Sequence, residues 1–254
     1  MEYLLLAVAS IFASALTGTV GVGGALLIVP ALTATADLFG LLPAEIRFIG
    51  YTMNFISLAP IVYKNRQQID WKIARLLTVT AMTGAVIGAN IPQFASAKTL
   101  SLGLVATLVL AILLLIRKLG DKTPAKPDFP HTQRGWISIM LIGGIVGLAS
   151  GLFGIGGGIF MLPLISLLLG VKPTNIVLLT PVIVLFSTGT GILTSLWHGA
   201  TFSNAALAVI VVLGAVIGAG WGDKLRGTLP DKALNILMIG LLALLAVRIF
   251  IQTI

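Results

Sequence analysis

Apolar and polar positions divide the chain into long hydrophobic runs separated by short polar loops. The first run extends from Tyr3 to Ala36 and is interrupted by glycines. Apolar segments follow at about 47–63, 73–92 and 99–117, then a polar stretch at 118–135, after which the pattern restarts. The second series holds a glycine-broken run at 136–169 and segments at about 175–197, 204–221 and 233–251. Runs near twenty residues with few charges are long enough to cross a bilayer as helices, because each helical residue adds about 1.5 Å to a path of about 30 Å. The pattern predicts an all-α polytopic, multi-pass membrane protein. Each half would hold a glycine-broken helix pair and three transmembrane helices, about ten membrane helices in total.

The two broken runs carry the same punctuation. Gly18, Gly21, Gly23 and Gly24 are followed by Pro30, and Gly151, Gly154, Gly156 and Gly157 by Pro163, each 133 positions later. Further on, Gly84-Ala-Val-Ile-Gly88-Ala recurs as Gly214-Ala-Val-Ile-Gly218-Ala, Leu42-Pro43 pairs with Lys172-Pro173, and Lys98 pairs with Lys232. Several matches in one order mark an internal duplication. The expected organisation is a single membrane transport domain over 1–254, with repeat one at 1–117, a cytoplasmic linker at 118–135 and repeat two at 136–254. The first run resembles a signal peptide only superficially, since its start holds Glu2 and no basic residue; it is expected to remain in the mature protein.

Charge sets the expected topology. If each glycine-broken run enters and leaves on one side, the repeats are inverted. Every Lys and Arg except Arg47, Lys98 and Arg248 then lies on one side. If each broken run crosses once, the split weakens to ten against six. The positive-inside rule favours the inverted arrangement, in the plasma membrane, with both termini outside the cytoplasm. The same distribution turns a formal charge of +8 into a topology signal and argues against nucleic acid as a partner. Tyr63, Trp71, Trp136, Trp197 and Trp221 fall near segment ends, where amphipathic rings anchor at headgroup level.

Composition narrows the chemistry. Charged residues make up 9% of the chain, against about 25% in soluble domains, and the mean hydropathy is +1.09. No segment is left for a soluble catalytic domain, so no enzyme activity and no cofactor or metal site is expected. Cysteine is absent. No carboxylate sits deep in an apolar segment, which argues against a proton relay.

The glycine clusters are the remaining candidates. A nucleotide-binding loop would need a preceding strand and a downstream acid, and neither is present. Gly84/Gly88 and Gly214/Gly218 are read as close helix packing. The denser clusters are read as breaks whose restarting helices present unpaired N–H groups and a positive dipole end to an anion. The candidate binding residues are Gly21, Gly23, Gly24, Gly154, Gly156, Gly157 and Gly158, with Thr52, Asn54 and Thr180 as auxiliary donors. A channel for small neutral solutes or weak acids, built from paired half-helices, is the alternative.

At these residues the sequence resembles the TauE/SafE family of sulfite and organosulfonate exporters, also called TSUP. The resemblance rests on Gly21-Val-Gly-Gly24, Gly154-Ile-Gly-Gly-Gly158, the prolines that follow, and a basic loop with Ile69-Asp70-Trp71. Ala25 stands where the second copy has Gly158. The resemblance implies a permease that exports a small sulfur-containing anion such as sulfite, sulfoacetate or a related organosulfonate. Its partners would be that anion and the lipid bilayer, with homo-oligomerisation left open.

Overall fold

The computed structural model describes residues 2–19, 21–120, 132–169, 171, 178–225 and 231–254. Most of the expected linker, His131 and the Lys172-Pro173 pair lie outside the described residues. The helices, in chain order, are α1 (Glu2–Gly18), α2 (Ala25–Ala34), the single-turn α3 (Ala36–Phe39), α4 (Pro43–Asn65), α5 (Trp71–Asn90), α6 (Ala97–Gly120), α7 (Gln133–Phe153), α8 (Gly158–Leu169), α9 (Leu179–Trp197), α10 (Ala205–Leu225) and α11 (Asp231–Thr253). A 3₁₀ turn, Ile91–Phe94, follows α5. Strands are absent among the described residues.

Local chemistry sets several boundaries. Pro43 occupies the first turn of α4, where its missing N–H removes no helical bond. The Asp70 carboxylate accepts from Lys72 N at 3.0 Å and Ile73 N at 3.4 Å and so starts α5. The Thr132 hydroxyl accepts from Gly135 N at 3.2 Å at the start of α7. Six helices among the described residues are long and apolar enough to cross a membrane. Their outer faces expose large side chains such as Val79, Leu113, Leu141, Leu193, Leu213 and Leu244. A chain that leaves this much apolar surface around its whole circumference is built for lipid. Tyr63, Trp71, Trp136, Trp197 and Trp221 all lie at or near helix ends, as the aromatic-belt reading expects.

Packing fixes the directions of the helices. Gly214, Gly218 and Gly222 of α10 rest in turn on Ser10, Ile11 and Ala15 of α1, so these two run parallel. Gly84 and Gly88 of α5 rest on Gly144 and Leu148 of α7, and Gly147 and Gly151 of α7 rest on Ala81 and Ala85, a second parallel pair. A Cβ at any of these glycines would press on the neighbouring helix, which is the close-packing role expected of the repeated Gly-x-x-x-Gly. The two central helices run oppositely: Tyr51 of α4 meets Gly191 of α9, Phe55 meets Gly189, and Leu58 and Ile61 cluster with Val184.

The chain therefore has two faces. On the first, α4 and α10 begin, joined by Glu45, whose carboxylate accepts from Ser203 N, Ser203 Oγ and Asn204 N. There α11 also ends, with Gln252 donating to Ala34 O at 2.9 Å. On the second, α4 and α10 end, tied by Lys64 and Asp223 at 2.7 Å. Following the helix directions, α1 starts and α11 ends on the first face.

Candidate functional site

Both glycine-broken runs double back. Gly24 lies against Ser14, ten residues earlier, and Gly157 against Val146, eleven residues earlier. The first hairpin dips in from the first face and the second from the second face, so α2 and α8 restart inside the protein and run back outwards. Their starting ends meet: a Cβ at Gly158 would be 3.1 Å from Val22 O.

Asn54 stands at this meeting point, midway along α4, and is fully buried. Its Oδ1 accepts from Ala25 N at 3.1 Å and caps α2. Its Nδ2 points to the other hairpin, 2.5 Å from where a Cβ of Gly156 would be, and has no hydrogen-bond partner among the described residues. Reversing the amide would set Nδ2 against the Ala25 N–H, donor against donor, so the capping bond assigns the orientation. Gly23 and Gly156, which flank Asn54 from opposite sides, have φ of +89° and +83°. Only glycine takes that backbone without strain, and here it also has no Cβ to displace the amide.

The site is rich in donors. The N–H groups of Gly156, Gly157 and Gly158, like Asn54 Nδ2, are donors for which no acceptor is found among the described residues. All of these residues are buried. Each restarting helix adds roughly half a positive elementary charge at its N-terminus, and the two face each other. Buried donors without acceptors cost about 1–3 kcal/mol each.

Of the residues expected from sequence, Gly21, Gly23, Gly24, Asn54, Gly154, Gly156, Gly157 and Gly158 lie on the two hairpin turns or between them. Thr180 joins them, with its methyl 3.1 Å from where a Cβ of Gly158 would be. Thr52 does not. It lies about 200° around α4 from Asn54, and its hydroxyl donates to Phe48 O at 2.8 Å. Two residues were not foreseen. The fully buried Ser14 hydroxyl abuts Gly24 and has no hydrogen-bond partner among the described residues. Arg47, one turn inside α4, supports the second hairpin: a Cβ at Gly154 would be 2.8 Å from Arg47 Cα. Neither residue sits in a glycine motif or among the uncharged polar positions of the segments that follow, the two signals on which the candidate list rests.

Two adjoining cavities open on the first face, of about 290 Å³ and about 610 Å³. Neither is lined by a hairpin glycine. They stop one layer short, at Leu152 and Phe153 in the smaller and Tyr51 in the larger, and Arg47 lines both. Tyr51 donates its phenol to Gly151 O and is itself buried, so it braces the second hairpin below the cavity.

A multi-pass helical bundle with two hairpins meeting inside an apolar shell is the architecture of a protein embedded in a membrane. Residues 6–249 match the family described as sulfite exporter TauE/SafE, and the chain belongs to that family. It is 26% identical over 261 residues to "Probable membrane transporter protein YunE" of Bacillus subtilis (strain 168), covering 94% of this chain and 93% of that protein. It is 24% identical over 265 residues to "Probable membrane transporter protein MJ0441" of Methanocaldococcus jannaschii, covering 96% and 95%. No solved structure matches the chain.

Proposed function

We propose that the protein carries a small sulfur-containing oxyanion, sulfite or an organosulfonate such as sulfoacetate, outward across the plasma membrane. The anion would be held between the hairpins by the backbone N–H groups of Gly156, Gly157 and Gly158 and by Asn54 Nδ2. The observation that carries this reading is the concentration of buried donors without acceptors at the midpoint of α4. A neutral solute would leave the two opposed dipole ends uncompensated; an anion neutralises both.

The halves are read as inverted repeats, and the packing supports this. α4 and α9 occupy matching places in the two series and run antiparallel. The α1–α10 pair has its counterpart in α7–α5, each built on the same glycine seam. The basic residues divide accordingly, with Arg47, Lys98 and Arg248 towards the first face and Lys64, Arg66, Lys72, Arg75, Arg134 and Lys224 towards the second. By the positive-inside rule the second face is cytoplasmic. Rocking of one half against the other would open the hairpin site to either side in turn. A negative cell interior drives anions outwards with roughly 2.3 kcal/mol per charge per 100 mV, so export needs no proton relay.

The test is counterflow into liposomes loaded with sulfite, sulfoacetate, taurine or sulfate, under imposed potentials. The proposal expects exchange of a sulfur oxyanion and net flux that steepens with potential. Flux of neutral solutes indifferent to potential would establish the pore alternative, and exchange of none of the four would end the proposal.

A further inference from the structure

Arg47 is a half-buried cation, one turn inside α4, that the hairpin site does not use. It lies between the two first-face cavities and lines both. Among the described residues its guanidinium has no hydrogen-bond or ion-pair partner. The nearest carboxylate in sequence, Glu45, is already engaged by Ser203 and Asn204. The other acidic residue bordering these cavities is Asp37, in the smaller one. A half-buried guanidinium presents five donors in a flat fork that matches the oxygens of a carboxylate, sulfonate or phosphate head. Such groups are normally paired when withdrawn from water. Around Arg47 the larger cavity adds Gln93, His198, Thr201 and Ser203, and its apolar wall includes Leu100 and Pro92. That combination suits an oxyanion head carrying a short organic tail.

Arg47 also has a defined position relative to the hairpins. The turn of the second hairpin rests on its backbone at Gly154, and Asn54 is seven residues further along the same helix, about 10 Å by helical rise. We infer that Arg47 is a second oxyanion site, a vestibule on the first face through which the anion passes between bulk water and the hairpins. The inference rests on the anion-transport reading and adds to it a place where the anion is met on one side only.

The chain contains no cysteine, so Arg47→Cys introduces a single thiol. In oriented proteoliposomes, Arg47→Cys should raise the half-saturating sulfite concentration on the first face by about tenfold to a hundredfold, the range for losing a charge-assisted hydrogen bond. The value on the second face should stay within about twofold of wild type. A membrane-impermeant, positively charged methanethiosulfonate applied to the first face should restore affinity, read with sulfoacetate because sulfite cleaves mixed disulfides, and the negatively charged reagent should not. Sulfoacetate, which does not react with the reagent, should slow the labelling. Should Arg47→Cys not fold, Arg47→Lys and Arg47→Gln replace it, the first expected to retain most of the affinity and the second to lose it. Unchanged first-face affinity in Arg47→Gln or Arg47→Cys, or a thiol that the reagent reaches only from the second face, would overturn the vestibule. If wild type transports sulfite, Asn54 variants fail and Arg47 variants behave as wild type, the vestibule alone falls. If wild type transports no anion, the parent reading falls and takes the vestibule with it.

Discussion

Replacing Asn54 with aspartate places a carboxylate where the account puts the substrate. In the native protein one amide oxygen caps Ala25 N at 3.1 Å while the amide nitrogen adds a donor to a group of donors. In Asn54→Asp the first oxygen keeps the cap and the second replaces Nδ2 opposite Gly156. Each charge-assisted bond gained there contributes about 1.5–3 kcal/mol. The opposing desolvation of a buried carboxylate is several kcal/mol, so stability should change by little. Binding should change by much. Two like charges about 4 Å apart at an effective dielectric constant near 20 repel by about 4 kcal/mol, about a thousandfold in affinity. Asn54→Ala differs in sign: it leaves Ala25 N without an acceptor and should destabilise by about 1–3 kcal/mol. Thermal unfolding in nanodiscs with and without sulfite separates these cases. Wild type should gain about 2.7 kcal/mol at a hundredfold excess over Kd, Asn54→Asp should gain nothing, and Asn54→Ala should start lower. An Asn54→Asp protein that binds and transports sulfite as wild type does would refute the reasoning.

Four further outcomes follow from the packing and the charge pattern. Gly147→Ala should destabilise by about 1–3 kcal/mol, because its methyl would press on the Ala81 backbone. Gly144→Ala, on the same helix with open space around it, should be neutral or stabilising by up to about 1 kcal/mol; melting curves of the two variants decide. Lys64→Ala should cost about 1 kcal/mol or more although the lysine is 64% exposed, because it takes a 2.7 Å partner from the Asp223 carboxylate, whose side chain is only 8% exposed, and a denaturation midpoint measures it. A reporter fused after Ile254 should prove non-cytoplasmic, and a cytoplasmic signal would reverse the assignment of the faces.

The helices and the hairpin breaks were legible because each has a strong local signal. Apolar runs near twenty residues favour helices, and consecutive glycines inside such a run break it. Asn54 was legible because a buried amide must find partners. Which face of α4 meets the hairpins was not. Thr52 and Asn54 are two residues apart and similarly polar, yet helical geometry sends them to nearly opposite sides, and only the packing partners say which side is inward. In the sequence Arg47 is a charge at a segment end, because the apolar stretch begins at about residue 47. Pro43 starts the helix four residues earlier and carries Arg47 a full turn inside, between two cavities. Ser14 could not be found from its surroundings, since its relation to Gly24 exists only once the chain has doubled back.

The central claim is that backbone amides of the hairpin turns hold the anion. Selective ¹⁵N-glycine labelling in nanodiscs, with resonances assigned by single substitution, reads those amides directly during a sulfite titration. The account predicts saturable shifts at Gly156, Gly157 and Gly158 with a common Kd, while Gly84 and Gly218 in the helix seams stay still. Sulfite transport by a protein whose hairpin amides do not move would contradict it.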